Sequence, residues 1–442
     1  MEREKKLYLK TFGCQMNDAD SSKIKNLLGS MNVSSTSNPK EADIILLNTC
    51  SIRWKAEHKV YSELGRFKNI KKTRPHVIIG VGGCVAQQEG EEMFKKVPHL
   101  DLVFGTSNVN RLPEMIKKVE RERCHVEETE FFDRPEPLVY PAPEEDGMRA
   151  YVNVIRGCDN FCTYCIVPYV RGREASRPAE EIIEEVKILV EQGVKEITLL
   201  GQNVNSYGRD LSDGIDFPKL LRQVAGVGGV VRLRFTTSHP KDLSDELIAV
   251  FGELPNLCSH LHLPVQSGSD KVLSFMRRDY TAKGYLDKVE KLRKMRSDIA
   301  LTTDLIVGFP GEEDDDFKKT LELMNEVQYD AAFSFKYSVR PGTAAAKMKD
   351  SVTEEEKKER LKILQDLQME HGNIKNGQEV GKVHPVLVEG ESKKGDGMFM
   401  GRTSGNKVVN FKGSEEIKSM IVPVKIINSS ANALFGEYQL IH

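Results

Sequence analysis

Cys158, Cys162 and Cys165 fall within one stretch, GCDNFCTYCIVPYVRG, of a 442-residue chain that has eight cysteines in all. The spacing is three residues and then two. A structural zinc site takes four ligands, usually in CxxC pairs, and only Cys162 and Cys165 have that spacing. A thiol redox pair made from those two leaves Cys158 unexplained. Three thiolates can instead hold three irons of a 4Fe-4S cluster and leave the fourth iron open to a substrate or cofactor. A second set of three closes the apolar runs KLYLKTFGC, ADIILLNTC and HVIIGVGGC, at Cys14, Cys50 and Cys84. By the same arithmetic it suits a second cluster with one open iron. Cys124 and Cys258 have no partner pattern and read as incidental or buried thiols.

The elements around these cysteines say how they are held. Over the first 115 or so residues, short aliphatic runs alternate with helical stretches, the pattern of buried parallel strands in an open α/β sheet. Right-handed crossovers put the C-terminal ends of such strands on one edge, where open α/β sheets bind ligands. Cys14, Cys50 and Cys84 are therefore expected to converge. Residues 124–149 change character, with prolines at 135, 137, 141 and 143 and a run of acids, and read as a linker. From 150 onward six strand-like runs recur: AYVNVIRGC, EITLLGQN, VVRLRFTTSH, LHLPVQS, LTTDLIVGFP and AAFSFKYSV. Amphipathic helices separate most of them, such as PAEEIIEEVKILVEQG with its apolar positions at Ile182, Ile183, Val186, Leu189 and Val190. Six βα units predict a partial parallel barrel, short of the eight of a complete one. A charged amphipathic helix is expected over 352–377. The last 63 residues or so alternate short β-like runs with glycine turns and predict a small antiparallel β-barrel.

Composition bounds the setting. Hydrophobic residues make up 39% and charged residues 29%, with a formal net charge of -2, so any nucleic-acid contact must come from local basic patches. No run approaches the roughly 18 apolar residues of a membrane span. MEREKKLYLKTFGC lacks an apolar secretory core, which points to the cytoplasm, where thiols stay reduced.

The first triad, with Tyr164 before its last cysteine, resembles the radical S-adenosylmethionine superfamily. The resemblance implies that the open iron chelates the amino and carboxylate groups of S-adenosylmethionine, whose reductive cleavage gives a 5′-deoxyadenosyl radical. LLGQNVNSYG is similar to the segment that binds the methionine amino group, with Gly201, Gln202 and Asn203 where glycine-glycine-glutamate is usual. TTDLIVGFPGE, with Asp304 and Val307, resembles the segment beside the adenine. Ser238 in TTSHP, Gln266 in LPVQSGS and Tyr337 in YSVRPGT would add contacts at strand ends.

Across its whole length, with TFGCQMND, LNTCSIRWKAEHKVYSELGR and GVGGCVAQQ around the second triad, the chain resembles the methylthiotransferases. These join an N-terminal α/β domain carrying an auxiliary cluster, a radical domain and a C-terminal TRAM domain, here 1–123, 150–378 and 379–442 about the 124–149 linker. One branch of the family modifies a ribosomal-protein aspartate and another threonylcarbamoyladenosine in tRNA. The third modifies N6-isopentenyladenosine at position 37 of tRNA, and GCQMND with NTCSIR and KAEHKVYSELGR looks most like it. Trp54 departs from the acidic residue usual there. The resemblance implies two 4Fe-4S clusters and two molecules of S-adenosylmethionine, one the methyl donor and one the radical source. Its partners would be a tRNA anticodon stem-loop, an electron donor of flavodoxin or ferredoxin type and a sulfur or cluster supplier, acting on a monomer. Candidate phosphate contacts are Arg66, Lys68, Lys71, Lys72 and Arg74 in one stretch, and Arg171, Arg173 and Arg177 in another. Arg277 and Arg278 in MRRDY form a weaker third.

Overall fold

The computed structural model describes residues 3–51, 54–131, 143, 147–392, 395 and 397–439. The side chain of Trp54 and most of the predicted linker lie outside the described residues. Among the described residues no helix is long and apolar enough to cross a membrane.

Six parallel strands form the N-terminal sheet: β1 (Lys5–Thr11), β2 (Val33–Ser35), β3 (Ile44–Thr49), β4 (Ile78–Gly83), β5 (Leu102–Phe104) and β6 (Val126–Glu128), in the order β2-β1-β3-β4-β5-β6. Every residue of β3 and β4 is buried, because helices cover both faces and leave no wet side to demand alternation. β6 lies inside the predicted linker, so the sheet extends past residue 123. Its one buried apolar residue, Val126, sits between His125 and two acids, which hide it from the pattern.

The central strands are β7 (Arg149–Asn153), the short pair β8 (Ile155–Arg156) and β9 (Ala175–Ser176), then β10 (Glu196–Leu200), β11 (Arg232–Phe235), β12 (His260–His262), β13 (Ala300–Val307) and β14 (Ala331–Lys336). β7-β10-β11 and β12-β13-β14 are parallel sheets, joined by a parallel bridge between Leu233 and Leu257. The result is the expected partial barrel. Leu233, Leu301 and Leu305 look outward into the core beneath the helices, whereas Arg232, Arg234, Thr302 and Asp304 alternate with them and look inward. The antiparallel pair β8-β9 pinches together the two ends of the three-cysteine loop.

β15 (Val383–Glu391), β16 (Met398–Arg402), β17 (Val408–Lys412), β18 (Ile421–Ser430) and β19 (Ala433–Tyr438) close into a barrel in the order β15-β16-β17-β19-β18. Four of its pairings are antiparallel; β17 and β19 run parallel. The helix Glu354–Gly377 leads into it and opens on a Thr353–Glu356 capping box. Arg232 and Arg234 dock this barrel beneath the central one: their guanidiniums donate to the carbonyls of Pro385, Arg402, Thr403 and Ser404 over 2.6 to 2.9 Å.

Candidate active site

Gly157 opens the three-cysteine loop at φ +75°, and a Cβ there would collide with the Arg173 carbonyl, so only glycine lets the loop ends close. The loop is then pinned from three directions. Gly157 N–H donates to Gln202 Oε1 at 2.6 Å. Thr163 N–H donates to the Met276 carbonyl at 3.1 Å and Thr163 Oγ1 to that of Phe275 at 2.8 Å, while Ala345 N–H donates to the Thr163 carbonyl at 2.7 Å. Phe161, at φ +45°, turns the chain between Cys158 and Cys162. Tyr164 packs edge-on against Phe309, and Phe309 against Tyr337. Burial pushes the Cys158 thiol up to about 11 and that of Cys165 up to about 12, so metal loading must expel protons.

Arg278 is buried beside this loop. Its Nη1 lies 3.4 Å from Cys162 Sγ, its Nη2 donates to the Pro264 carbonyl at 2.9 Å, and its Nε to Tyr280 Oη at 3.0 Å. It therefore faces one of the three cysteines expected to hold a cluster and cannot meet a phosphate. A positive donor on a cluster thiolate favours the reduced, more negative state. Arg278→Gln is expected to lower the midpoint potential of the cluster, cutting the ratio of reduced to oxidised form about tenfold at a fixed potential, or about 59 mV for one electron. A redox titration followed by electron paramagnetic resonance measures it; an unchanged potential would rule the role out.

The second triad is assembled as the strand order dictates. Thr11 pairs with Asn48, and Asn48 with Gly82, so β1, β3 and β4 end on one line. Cys14 caps the helix Gln15–Gly29, Cys84 begins the helix Cys84–Glu89, and Cys50 follows β3. Helix N-termini favour thiolates. The Cys50 thiol donates to Cys14 and, against burial and with Arg171 nearby, brings Cys14 down to about 6. Asn17 and Asn48 lock the strand ends: Asn17 Nδ2 donates to Asn48 Oδ1 and to the Thr49 carbonyl, both at 3.0 Å, and Asn48 Nδ2 to the Asn17 carbonyl at 2.8 Å. Neither asparagine stands out in the sequence, although each lies within three residues of a triad cysteine.

The two cysteine-bearing edges abut. Cys84 packs against Ile166 and Val170, which directly follow the first triad, and Thr106 Oγ1 donates to the Val170 carbonyl at 2.8 Å. Met16 and Ala19, just after Cys14, pack on Tyr151 and Leu200 of the central barrel. Arg171 reaches across to Asp20, Nη2 to Oδ2 at 3.0 Å.

Both triads fit iron–sulfur clusters. All eight cysteines are free thiols, and among the described residues no three ligating side chains converge on the scale of a single ion. A ligand is called for beside them: Asn153 Oδ1, Asn203 Oδ1, Ser238 Oγ, His239 Nε2 and Tyr337 Oη are all buried without a hydrogen-bond partner at the C-terminal ends of β7, β10, β11 and β14. Each such atom costs about 1–3 kcal/mol unless something pairs with it. Within TTSHP nothing in the pattern marks His239. Burial, then Arg278, drives it down to about 2, and its Nδ1 accepts from Lys241 N–H, so the neutral ring carries its proton on Nε2. Of the other expected contacts, Gly201 is held against Ile155 and Val204, Asn203 Nδ2 donates to Asp242, and Gln266 bridges Leu305. Val307 is buried at the end of β13, and Asp304 lies deeper, beside His262.

The basic candidates divide. Lys71 is tied to Asp101 at 2.7 Å, Arg74 to Asp43, Arg171 to Asp20 and Arg177 to Glu185 and the Asn153 carbonyl, so these four serve the fold. Arg66, Lys68, Lys72, Arg173 and Arg277 are exposed, Arg66 and Arg173 in surface pairs with Glu63 and Asp159.

The radical SAM superfamily matches residues 152–324, the uncharacterized protein family UPF0004 residues 6–105 and the TRAM domain residues 377–438. A tRNA-2-methylthio-N(6)-dimethylallyladenosine synthase of Syntrophotalea carbinolica is 50% identical over 436 residues, 98% of this chain and 99% of that protein. One from Geobacter metallireducens is 52% identical over 439 residues, 99% of each. Among solved structures, the radical S-adenosylmethionine methyltransferase TsrM of Kitasatospora setae superposes with a TM-score of 0.57 at 13% identity, over 77% of this chain and 75% of that one. The cobalamin-dependent radical enzyme OxsB gives 0.55 at 13% identity, over 82% of this chain and 56% of that one. Those two share the fold. With half of its residues identical over nearly its full length, the chain belongs to the tRNA-2-methylthio-N(6)-dimethylallyladenosine synthase family.

Proposed function

We propose that this chain transfers a methylthio group to C2 of N6-isopentenyladenosine beside the anticodon of tRNA. The observation that carries the reading is the abutment of two open-iron triads, with Cys84 seated on the Ile166–Val170 segment that follows the first. The C2–H of adenine is neither acidic nor nucleophilic, so general acid–base groups cannot reach it. When bound, two 4Fe-4S clusters and S-adenosylmethionine supply a carbon radical and a methylated sulfur. The chain's own residues do the rest. Cys158, Cys162 and Cys165 hold one cluster and Cys14, Cys50 and Cys84 the other. Asn203, Ser238, Gln266 and Tyr337, with the Nε2 proton of His239, surround the cofactor, Gly201 and the backbone of Val307 flank it, and Tyr164 and Gln202 brace the loop. Because the two cysteine-bearing edges abut, a base taken out of its stack would meet both groups there. Arg66, Lys68 and Arg173 steer the anticodon stem-loop. A flavodoxin- or ferredoxin-type donor and a cluster supplier serve the enzyme, which works as a cytoplasmic monomer.

Mass spectrometry of nucleosides from cells lacking the gene tests this. 2-Methylthio-N6-isopentenyladenosine is expected to vanish and N6-isopentenyladenosine to accumulate. Persistence of the methylthio nucleoside would refute the assignment.

A further inference from the structure

Inside the central barrel lies a group of side chains that neither triad uses. Thr302 Oγ1 bridges two imidazoles, at 2.9 Å from His262 Nδ1 and 3.2 Å from His260 Nε2. His262 Nε2 lies 3.6 Å from Asp304 Oδ2, and its ring meets the Phe333 ring edge-on with centroids 6.0 Å apart. Asp304 and Phe333 are directly paired across β13 and β14. The opposite faces of these strands carry the core, so these five look into the barrel. Phe333 is nonetheless 51% exposed, and the Asp304 side chain 32%. Both touch His262, yet much of the phenyl ring and part of the carboxylate stay open. Together they are a surface for a flat ring that carries a hydrogen-bond donor.

Resting on the function proposed above, we infer that Phe333 and Asp304 form the pocket of the target base. The phenyl ring stacks on the adenine, and the Asp304 carboxylate accepts the one N–H that N6 keeps after prenylation. The apolar substituent then runs along Ile306 and Phe335, the next inward residues of the same two strands. This moves Asp304 from the cofactor to the substrate. It also gives the pocket a means of exclusion. A threonylcarbamoyl group at N6 ends in a carboxylate, which the pocket would set beside Asp304.

Full-length holoenzyme and three synthetic anticodon stem-loops test the pocket, their target adenosine unmodified, N6-isopentenylated or N6-threonylcarbamoylated. Phe333→Ala is expected to weaken binding of the isopentenylated loop roughly tenfold to a hundredfold by fluorescence anisotropy, and Phe333→Tyr to restore it. Asp304→Asn is expected to raise the KM for that loop, leave the KM for S-adenosylmethionine where it was, and narrow the preference for the isopentenylated over the threonylcarbamoylated loop about tenfold. A raised KM for S-adenosylmethionine in Asp304→Asn would return that residue to the cofactor and overturn the inference, as would unchanged loop binding in Phe333→Ala. Failure of the unsubstituted enzyme to methylthiolate the isopentenylated loop would instead overturn the proposed function.

Discussion

Alanine at Cys14, Cys50 and Cys84 together is expected to abolish methylthio transfer, halve the iron from about eight to about four per chain, and leave cleavage of S-adenosylmethionine to 5′-deoxyadenosine intact. Alanine at Cys158, Cys162 and Cys165 is expected to remove that cleavage as well, again with about four irons left. The asymmetry follows from where each triad is built. The first is one loop, held by Gln202, Met276, Phe275 and Ala345, all within the central barrel. The N-terminal domain meets this stretch past its last cysteine, at Ile166, Val170 and Arg171. The second hangs on three strand ends locked by Asn17 and Asn48, within a sheet that has its own hydrophobic layers on both faces. Losing three thiols there leaves both layers whole. Iron and sulfide analysis with chromatography of the nucleoside products reads both variants. Retained methylthio transfer in the N-terminal triple variant would defeat the two-site reading, and so would complete loss of 5′-deoxyadenosine in it.

What could be read from the residues, and what could not, divides by the range of the interaction. A strand that is apolar throughout and a helix after it are local patterns, and Cys14, Cys50 and Cys84 inherit their meeting place from them. The three-cysteine loop is likewise local. Arg277 and Arg278 show the limit. They are neighbours of one type in one basic run, yet Arg277 is exposed and Arg278 is buried against Cys162, 116 residues away in sequence. Charge was visible in the chain; the partner that spends it was not. The parallel pairing of β17 with β19 escaped for a related reason. Alternation tells which face of a strand is buried, but not the direction of its neighbour. Phe333 and Asp304 resemble any residues on a half-buried strand until the sheet puts them side by side.

Arg171→Met is expected to destabilise the contact between the N-terminal and central domains by about 3–5 kcal/mol. The guanidinium and the Asp20 carboxylate are both nearly dry, with side-chain exposures of 6% and 11%. A buried charge without its partner keeps its desolvation cost and loses its return. Replacing both, as Arg171→Met with Asp20→Leu, removes the cost together with the bond and is expected to recover most of the loss. Hydrogen exchange over the helix Gln15–Gly29 and over Val167–Arg171 would show faster opening in the single variant and near-normal protection in the double. A second readout separates charge from packing. In iron-free protein Cys14 titrates near 6, first because of the Cys50 hydrogen bond and in part because of Arg171. Its folded value lies below its unfolded one, so the stability it contributes is full above the unfolded value and fades as pH falls through about 6. Without Arg171 the midpoint for alkylation of Cys14 should move up, toward an ordinary thiol, in both the single and the double variant. If it stays near 6 while the contact loosens, Arg171 is a strut between domains and not the counter-charge of the second triad.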